Sequence, residues 1–154
     1  MIGTGYVGLV SGACFSDLGN NVICVDRDQK KVNDLKKGII PIYEPGLNEL
    51  VLKNYKNDRL KFSTDLKDSV SKSDIVFICV GTPTKKNGSG ADLSQIYNVA
   101  KEIRNSISRF KIIITKSTVS VTTGDEIEKI ISQKVPKKLF SVVSNPEFLR
   151  EGEA

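Results

Sequence analysis

The chain has 154 residues, enough for one compact domain with a sizeable core and too few for two. Hydrophobic residues make up 39% and charged residues 27%, and no apolar run approaches the ~20 residues that span a bilayer, so we expect no membrane-embedded segment. The net charge is +5, but the lysine doublets lie scattered among acidic and apolar segments, as on ordinary solvated surfaces, and we therefore expect no nucleic-acid partner.

The chain contains no histidine and three cysteines, Cys14, Cys24 and Cys79. Without histidine, a His-based metal site and a Ser/His or Cys/His dyad are excluded within these residues, and we expect no metal. The cysteines have no C-x-x-C spacing and each lies in an apolar segment, which predicts small buried hydrophobic residues in a reducing compartment. We therefore expect a cytoplasmic location.

Helices and strands alternate along the first half of the chain. Residues 6–18 carry apolar side chains at helical spacing, and "VICV" at 22–25 is a short apolar run typical of a strand buried on both faces of a parallel sheet. Further helices are predicted at 28–36 and 44–54, the second with Pro45 in its first turn.

The same alternation continues to the end of the chain. The predicted elements are a strand in "LKFST", a helix in "DLKDSVSKS", a strand in "DIVFICVG", a helix over 96–107 with Asp92 as its N-cap after a loop that begins "TPTKKNGSG", a strand over 111–115, a helix in "VSVTTGDEIEKIIS" and a strand in "LFSVVSNPEF". This order predicts an α/β fold, a doubly wound parallel sheet of the Rossmann type with right-handed crossovers.

A glycine motif opens the chain, because Gly3, Gly5 and Gly8 have the G-x-G-x-x-G spacing of a dinucleotide-binding turn. The first glycine permits the tight turn, the second lets a pyrophosphate approach the backbone, and the third lets the following helix pack closely. The start of that helix offers free N–H groups to the anion. The alternative is a glycine turn without a ligand, but the helix, strand and acid that follow favour binding.

Such a turn normally follows a buried central strand, and only Met1 and Ile2 precede it here. We therefore expect these two residues to be the remainder of a first strand that is largely missing, with a hydrophobic slot open between its neighbours and an unstable chain as the result. We expect residues 1–154 to form one NAD-binding domain, cropped at both ends from a longer protein.

Polar or glycine-rich clusters follow the predicted strands. In a sheet of this kind ligands bind outside the carboxyl ends of the strands, so these clusters mark the expected site. The clusters are Gly3-Thr4-Gly5, Asp26, "GTPT", "KST" and "NPEFLREGE".

Asp26 ends its strand roughly 20 residues after the glycines, where a carboxylate accepts hydrogen bonds from ribose hydroxyls. A carboxylate at that place also repels a 2′-phosphate, which favours NAD over NADP, although the adjacent Arg27 keeps NADP open. The alternative interpretation is that Asp26 caps the helix that follows it.

Five segments in this order resemble the amino-terminal, NAD-binding domain of the UDP-glucose/GDP-mannose dehydrogenase family, and within it the UDP-glucose branch: "IGTGYVGLVSGACFSDLGNNVICVD", "GIIPIYEPGL", "CVGTPT", "KSTV" and "SNPEFLREGEA". The resemblance covers essentially the whole chain. It implies an enzyme that oxidises the C6 alcohol of UDP-glucose to the carboxylate of UDP-glucuronate in two steps, with two NAD⁺ and a thiol-bound intermediate. It also implies a full-length homo-oligomer with central and UDP-sugar-binding domains that this chain lacks.

The resemblance also assigns cofactor contacts. The residues that would line the pyrophosphate are Gly3, Gly5, Tyr6, Val7 and Gly8. Asp26 would bind the adenosine ribose and Lys31 would approach the same end, the alternative for Lys31 being a solvent lysine. Thr82 and Thr118 match positions near the nicotinamide half, where a hydroxyl holds a water or a ribose oxygen, and Thr118 is also expected to act in catalysis. The alternative for both threonines is loop capping.

By the same resemblance, residues 147–151 border the sugar, and the substrate-binding residues would be Glu147, Phe148, Leu149, Arg150 and Glu151. Glu147 would be catalytic, assisting proton transfer or orienting a water, and Glu151 would also lie close to the cofactor. The alternative is a turn with surface acids. Against it, we expect Phe148 and Leu149 to anchor the segment to the core.

One departure from the family limits these expectations. The family's nucleophilic cysteine lies in a later, glycine-rich stretch, and none of the three cysteines matches it, so the chain alone is not expected to complete the oxidation. Two other hypotheses stay open: a sister enzyme for GDP-mannose or an N-acetylated UDP-hexosamine, and a non-catalytic NAD-binding module.

Overall fold

A computed structural model of the chain describes residues 1–85, 88, 90–120 and 122–153. Lys86, Asn87 and Ser89 of the predicted loop and Val121 of the predicted helix segment lie outside the described residues. The elements are, in chain order, α1 Tyr6–Asp17, β1 Val22–Val25, α2 Gln29–Lys36, α3 Leu47–Lys56, β2 Leu60–Ser63, α4 Leu66–Lys72, β3 Ile75–Ile78, α5 Ser94–Arg104, β4 Lys111–Thr115, α6 Thr123–Ser132, a 3-10 turn Lys137–Leu139 and β5 Phe140–Ser144. Among these described elements, none of the helices has the length and apolarity needed to cross a bilayer.

All strand pairs in the sheet are parallel. β1 pairs with β2, β3 with β4 and β4 with β5, in registers that set Val22 opposite Leu60 and Lys111 opposite Phe140. Ile2 lies between the two halves and forms parallel bridges to both Val25 and Ile78. The sheet order is therefore β2, β1, Met1 and Ile2, β3, β4, β5, which confirms the predicted doubly wound α/β fold and puts its switch point beside Ile2.

Met1 and Ile2 behave as part of a central strand. The Met1 amino group donates to the Ile23 carbonyl at 2.8 Å, and the Ile2 amide donates to the Phe77 carbonyl at 2.8 Å. A cavity of about 610 Å³ opens next to Met1, between the amino-terminal ends of β1 and β3. Its lining includes Met1, Val22, Ile23 and Ile75.

Two apolar clusters hold the helices on the sheet. One joins α1, α2 and α3 to β1 and β2 through residues such as Leu9, Val32 and Val51, and the other joins α4, α5 and α6 to β3, β4 and β5 around Ile113 and Ile127.

The start of α3 differs from its prediction. The helix begins at Leu47, because Gly46 before it has φ +77° and interrupts the helical conformation that was expected from residue 44. Glu44 and Pro45 therefore belong to the preceding loop and not to a first helical turn. Glu44 is buried there.

Two further predictions are wrong in part. Asp92 is not the N-cap of α5, whose cap is Leu93; its carboxylate instead accepts the Ser94 amide at 2.9 Å, two residues along the chain. Cys14 is exposed, whereas Cys24 and Cys79 are buried as expected. The buried residues of α1 combine Leu9 and Val10 of the predicted apolar stripe with the small residues Gly8, Gly12 and Ala13.

Candidate functional site

The turn before α1 and the first helical turn require glycine at two positions, Gly3 and Gly8, and leave open space at a third, Gly5. Gly3 has φ +100°, and a Cβ there would lie 2.7 Å from the Cys79 carbonyl oxygen. A Cβ at Gly8 would lie 1.9 Å from the Gly3 carbonyl oxygen. A Cβ at Gly5 would meet no described atom within 4 Å, so the space beside Gly5 is the open side of the cradle, where a pyrophosphate fits against the backbone.

The start of α1 faces this open space. Gly5 is the N-cap, and within the described part of the chain no side chain caps the helix. The first amides of the helix, at Tyr6 and Val7, are therefore left to an anion, and the positive end of the helix dipole favours a negative charge there. The predicted cradle is thus chemically suited to a pyrophosphate.

Asp26 lies at the end of β1, against the same turn. Its Oδ2 accepts the Thr4 hydroxyl at 2.6 Å, the Thr4 amide at 3.1 Å and the Lys31 ammonium at 3.0 Å, and its Oδ1 accepts the Asp28 amide at 3.2 Å. Burial by itself raises the pKa of Asp26, but the hydrogen bonds from Thr4, Asp28 and Lys31 together outweigh it and lower the pKa to about 2. Asp26 is therefore an ionised acceptor at neutral pH.

The alternatives for Asp26 and Lys31 do not fit this geometry. The N-cap of α2 is Asp28, whose Oδ1 accepts the Lys31 amide at 3.1 Å. Asp28 therefore has the capping role that was the alternative prediction for Asp26. The Lys31 side chain is 27% exposed and its ammonium is bonded to Asp26, unlike a freely solvated lysine. Thr4, predicted only as part of the turn, is fully buried and donates to the same carboxylate.

A cleft of about 370 Å³ joins these groups at the switch point of the sheet. Its lining includes Gly3, Thr4, Gly5, Asp26, Arg27, Lys31, Gly81 and, from α5, Asn98. The cradle, the carboxylate and the lysine thus face one space. Among the described residues, Thr82, Thr118 and Glu147 do not line it.

The two predicted threonines lie where β3 and β4 end. Thr82 is half-buried four residues after β3, and Thr118 is exposed three residues after β4. The loop-capping alternative suits Ser117, the residue before Thr118, better. Its hydroxyl donates to the Val80 carbonyl at 2.7 Å and so connects the ends of β3 and β4. The functional role of both threonines stays a prediction.

Glu147 forms an ion pair that the sequence did not predict. Its Oε2 lies 3.7 Å from Nζ of Lys116, and each side chain is only 14% exposed. That oxygen has no hydrogen-bond partner among the described residues, while Lys116 also donates to Oδ1 of Asn145 at 3.4 Å. The sequence feature that could have indicated this pair is Lys116, a lysine directly after the apolar strand β4. The pair leaves a shielded carboxylate oxygen free to receive a hydrogen bond or a proton.

The segment after Glu147 is held differently from its prediction. Phe148 is 88% exposed and Leu149 is 37% exposed, so the expectation that these two side chains anchor it to the core is wrong. Polar contacts hold the segment instead: the Gly152 amide donates to Oε2 of Glu44 at 2.7 Å, and the Tyr6 hydroxyl donates to the Arg150 carbonyl at 3.0 Å. Glu151 lies near enough to Tyr6 for its charge to act on the hydroxyl.

None of the three thiols has the environment of a nucleophile. Burial raises the pKa of Cys24 to about 11 and the pKa of Cys79 to about 12, and both stay protonated at neutral pH. Cys14 lies on the outer face of α1, away from the cleft lining. Within the described residues, no three side chains of the kinds that bind metals come together to hold an ion.

Asp26 gives folding a pH dependence with a defined sign. Its pKa falls from 3.8 in the unfolded chain to about 2 in the folded chain, so the stabilisation is complete above about pH 4 and is lost as the pH falls toward 2. The full shift corresponds to about 2 kcal/mol, and screening in this partly open site reduces it.

Denaturant unfolding of the wild type and Asp26→Asn at pH 7, 4 and 2 should show a stability difference that shrinks below pH 4. In the control Asp68→Asn, which breaks the exposed pair with Lys72, the difference should stay under ~0.5 kcal/mol throughout.

Comparisons with known proteins agree with this geometry. The profile described as "UDP-glucose/GDP-mannose dehydrogenase family, NAD binding domain" matches residues 1–154. The chain is 56% identical over 154 residues to a UDP-glucose 6-dehydrogenase of Rhizobium meliloti (strain 1021), covering 100% of the chain and 35% of that protein. It is 52% identical over 156 residues to one from Bacillus subtilis (strain 168), covering 100% of the chain and 33% of that protein.

Solved structures show the same fold. A ternary complex of GDP-mannose dehydrogenase from Pseudomonas aeruginosa matches with a TM-score of 0.93 and 41% identity, over 98% of this chain and 36% of that one. A UDP-glucose dehydrogenase from the archaeon Pyrobaculum islandicum matches with a TM-score of 0.93 and 37% identity, over 99% and 36% of the two chains. The chain thus spans about a third of the length of the curated relatives that it matches. It belongs to the UDP-glucose/GDP-mannose dehydrogenase family and corresponds to the family's NAD binding domain.

Proposed function

We propose that this chain is the cofactor-binding part of an enzyme that oxidises the C6 alcohol of UDP-glucose to the carboxylate of UDP-glucuronate. The observation that carries the proposal is the meeting of the glycine cradle and the Thr4–Asp26–Lys31 cluster in one cleft at the switch point of the sheet. The names of the relatives, UDP-glucose 6-dehydrogenases at 56% and 52% identity, support the substrate.

The cofactor would be held by charge and shape. The amides of Tyr6 and Val7 bind the pyrophosphate, and the open side of Gly5 admits it to the backbone. Asp26, held ionised by Thr4 and Lys31, accepts the hydroxyls of the adenosine ribose. NAD⁺, when bound, supplies the hydride acceptor for the alcohol carbon.

The segment 147–151 would serve the sugar. Glu147 has a shielded oxygen without a hydrogen-bond partner among the described residues, which suits a group that takes a proton from the substrate or orients a water. We assign Phe148, Leu149, Arg150 and Glu151 to the border of the sugar, and Thr82 and Thr118 to the nicotinamide half. The exposed apolar ring of Phe148 is available to a ligand or to another part of the protein.

We also propose a cytoplasmic, homo-oligomeric enzyme. The three cysteines are free thiols, which supports a reducing compartment. The thiol nucleophile that the family resemblance implies is not assigned to any of them, because two are buried with raised pKa values and Cys14 points away from the cleft.

The cofactor assignment is tested by calorimetry with NAD⁺ and NADP⁺ on the wild type and on Asp26→Asn. We expect NAD⁺ to bind more tightly than NADP⁺, and the substitution to weaken NAD⁺ binding by roughly ten- to a hundredfold, because hydrogen bonds to a charged acceptor are worth ~1.5–3 kcal/mol. Asp34→Asn, which breaks the pair with Lys30 on α2 and does not line the cleft, is the matched control and should bind NAD⁺ like the wild type. Equal NAD⁺ affinity in Asp26→Asn would remove Asp26 from the ribose site.

The substrate assignment is tested by NADH formation with UDP-glucose, GDP-mannose and UDP-N-acetylmannosamine, measured on the full-length protein because this chain alone is not expected to complete the oxidation. GDP-mannose is included because the structure from Pseudomonas aeruginosa is a GDP-mannose dehydrogenase. We expect UDP-glucose to give the highest kcat/KM. Preference for either of the other sugars would move the protein to a sister activity, and NAD⁺ binding without turnover of any sugar would support a non-catalytic module.

A further inference from the structure

One buried carboxylate, in the segment "YEPGL", has no part in the function proposed above. Glu44 is only 7% exposed and lies in the loop before α3. Its Oε2 accepts the Tyr6 hydroxyl at 2.9 Å and the Gly152 amide at 2.7 Å. A single oxygen of Glu44 therefore joins two segments that lie 38 residues before it and 108 residues after it in the sequence.

Both segments belong to the proposed site. Tyr6 is the first residue of α1, and its backbone is part of the phosphate cradle. Gly152 has φ +88°, a left-handed conformation within the turn that follows residues 147–151. The Tyr6 hydroxyl also lies 3.0 Å from the Arg150 carbonyl, so the same ring contacts the segment a second time.

Glu44 and Tyr6 suit this linking role chemically. Burial, and then the hydrogen bond to Glu44, raise the pKa of Tyr6 to about 12, so the hydroxyl keeps its proton and donates at neutral pH. Hydrogen bonds to a carboxylate are among the strong ones in proteins. Since Phe148 and Leu149 do not anchor the segment, these polar contacts fix its carboxyl end to the body of the domain, while the ion pair with Lys116 holds Glu147 at its start.

We propose that Glu44 is a positioning residue that fixes the substrate segment, residues 147–151, against the cofactor cradle through Tyr6 and Gly152. The role of the segment in binding sugar rests on the function proposed above, but the linkage itself does not. Glu44 touches neither ligand in this proposal. Its effect is to hold Glu147 at a constant distance from the start of α1.

Hydrogen–deuterium exchange of the protein without any sugar tests the linkage. In Glu44→Ala we expect exchange in the peptide 149–153 to become at least tenfold faster, because the Gly152 amide loses its acceptor. Glu44→Gln keeps an oxygen in the same place and should restore most of the protection. Glu49→Gln, an exposed glutamate on α3, is the control and should exchange like the wild type. Unchanged exchange in Glu44→Ala overturns the proposal.

Tyr6→Phe decides the matter if Glu44→Ala does not fold, since it removes only one hydroxyl. We expect it to speed exchange at 149–153 at least threefold, and wild-type exchange there would count against the linkage. In turnover by the full-length protein, Glu44→Ala should lower kcat/KM for UDP-glucose about tenfold and leave the KM for NAD⁺ within twofold, with recovery in Glu44→Gln. A protein that turns over no UDP-sugar but shows the exchange changes contradicts the proposed function and leaves the linkage standing.

Discussion

Replacing Gly8 by alanine should unfold or severely destabilise the domain. The new Cβ would lie 1.9 Å from the Gly3 carbonyl oxygen and 3.2 Å from Cβ of Cys79, and the nearer atom is backbone that cannot move without opening the cradle. Relieving such a clash costs about 3 kcal/mol or more, which for a domain of this size lowers Tm by about 10 °C. Thermal unfolding followed by circular dichroism measures the loss.

Two other glycines provide the controls. A Cβ at Gly124, in the first turn of α6, meets no described atom within 4 Å, so Gly124→Ala should keep or slightly raise Tm. Gly5→Ala should also keep Tm, because its Cβ lies in open space, yet weaken NAD⁺ binding roughly tenfold by filling the approach to the backbone. A Gly8→Ala variant as stable as Gly124→Ala would mean that α1 packs less closely against the Gly3 carbonyl than the 1.9 Å distance indicates.

The contrast among these glycines shows what the sequence could predict. The G-x-G-x-x-G spacing, the apolar strand after it and the acid at its end are local patterns, and the geometry gives each glycine its predicted surroundings. The alternation of elements predicted a parallel sheet, and the paired registers confirm it. Strand ends must meet at one edge of such a sheet, which is why Asp26 could be predicted beside the turn.

Predictions failed where packing depends on shape or on distant partners. The buried face of α1 combines Leu9 and Val10 with small residues such as Gly8 and Gly12, and the apolar spacing alone put Cys14 inside when it is exposed. Lys116 and Glu147 are 31 residues apart, and Glu44 and Gly152 are 108 apart. No periodicity links such pairs, because the loops between them decide whether they meet.

The Lys116–Glu147 pair carries the largest expected effect on turnover. If Glu147 takes the proton from the C6 alcohol or orients the attacking water, Glu147→Gln should lower kcat for UDP-glucose by about 10²–10⁴-fold, the usual contribution of a general base, and leave NAD⁺ affinity unchanged. Lys116→Met should lower kcat about tenfold, since it removes the cation 3.7 Å from Oε2 and leaves the carboxylate without its orienting partner. Steady-state kinetics of the full-length protein, with both substrates varied, separates the effects on kcat from those on KM.

Two further variants serve as controls in the same assay, one that keeps the charge at position 116 and one that removes a distant ion pair. Lys116→Arg keeps a cation opposite Glu147 and should retain more activity than Lys116→Met. Glu128→Gln removes the exposed pair with Lys137 on the far side of α6, and its kcat should match the wild type. Wild-type kcat in Glu147→Gln would take proton handling away from Glu147. An equal loss in Lys116→Arg and Lys116→Met would show that Lys116 acts by its shape and contacts, because its charge would then make no difference to the orientation of Glu147.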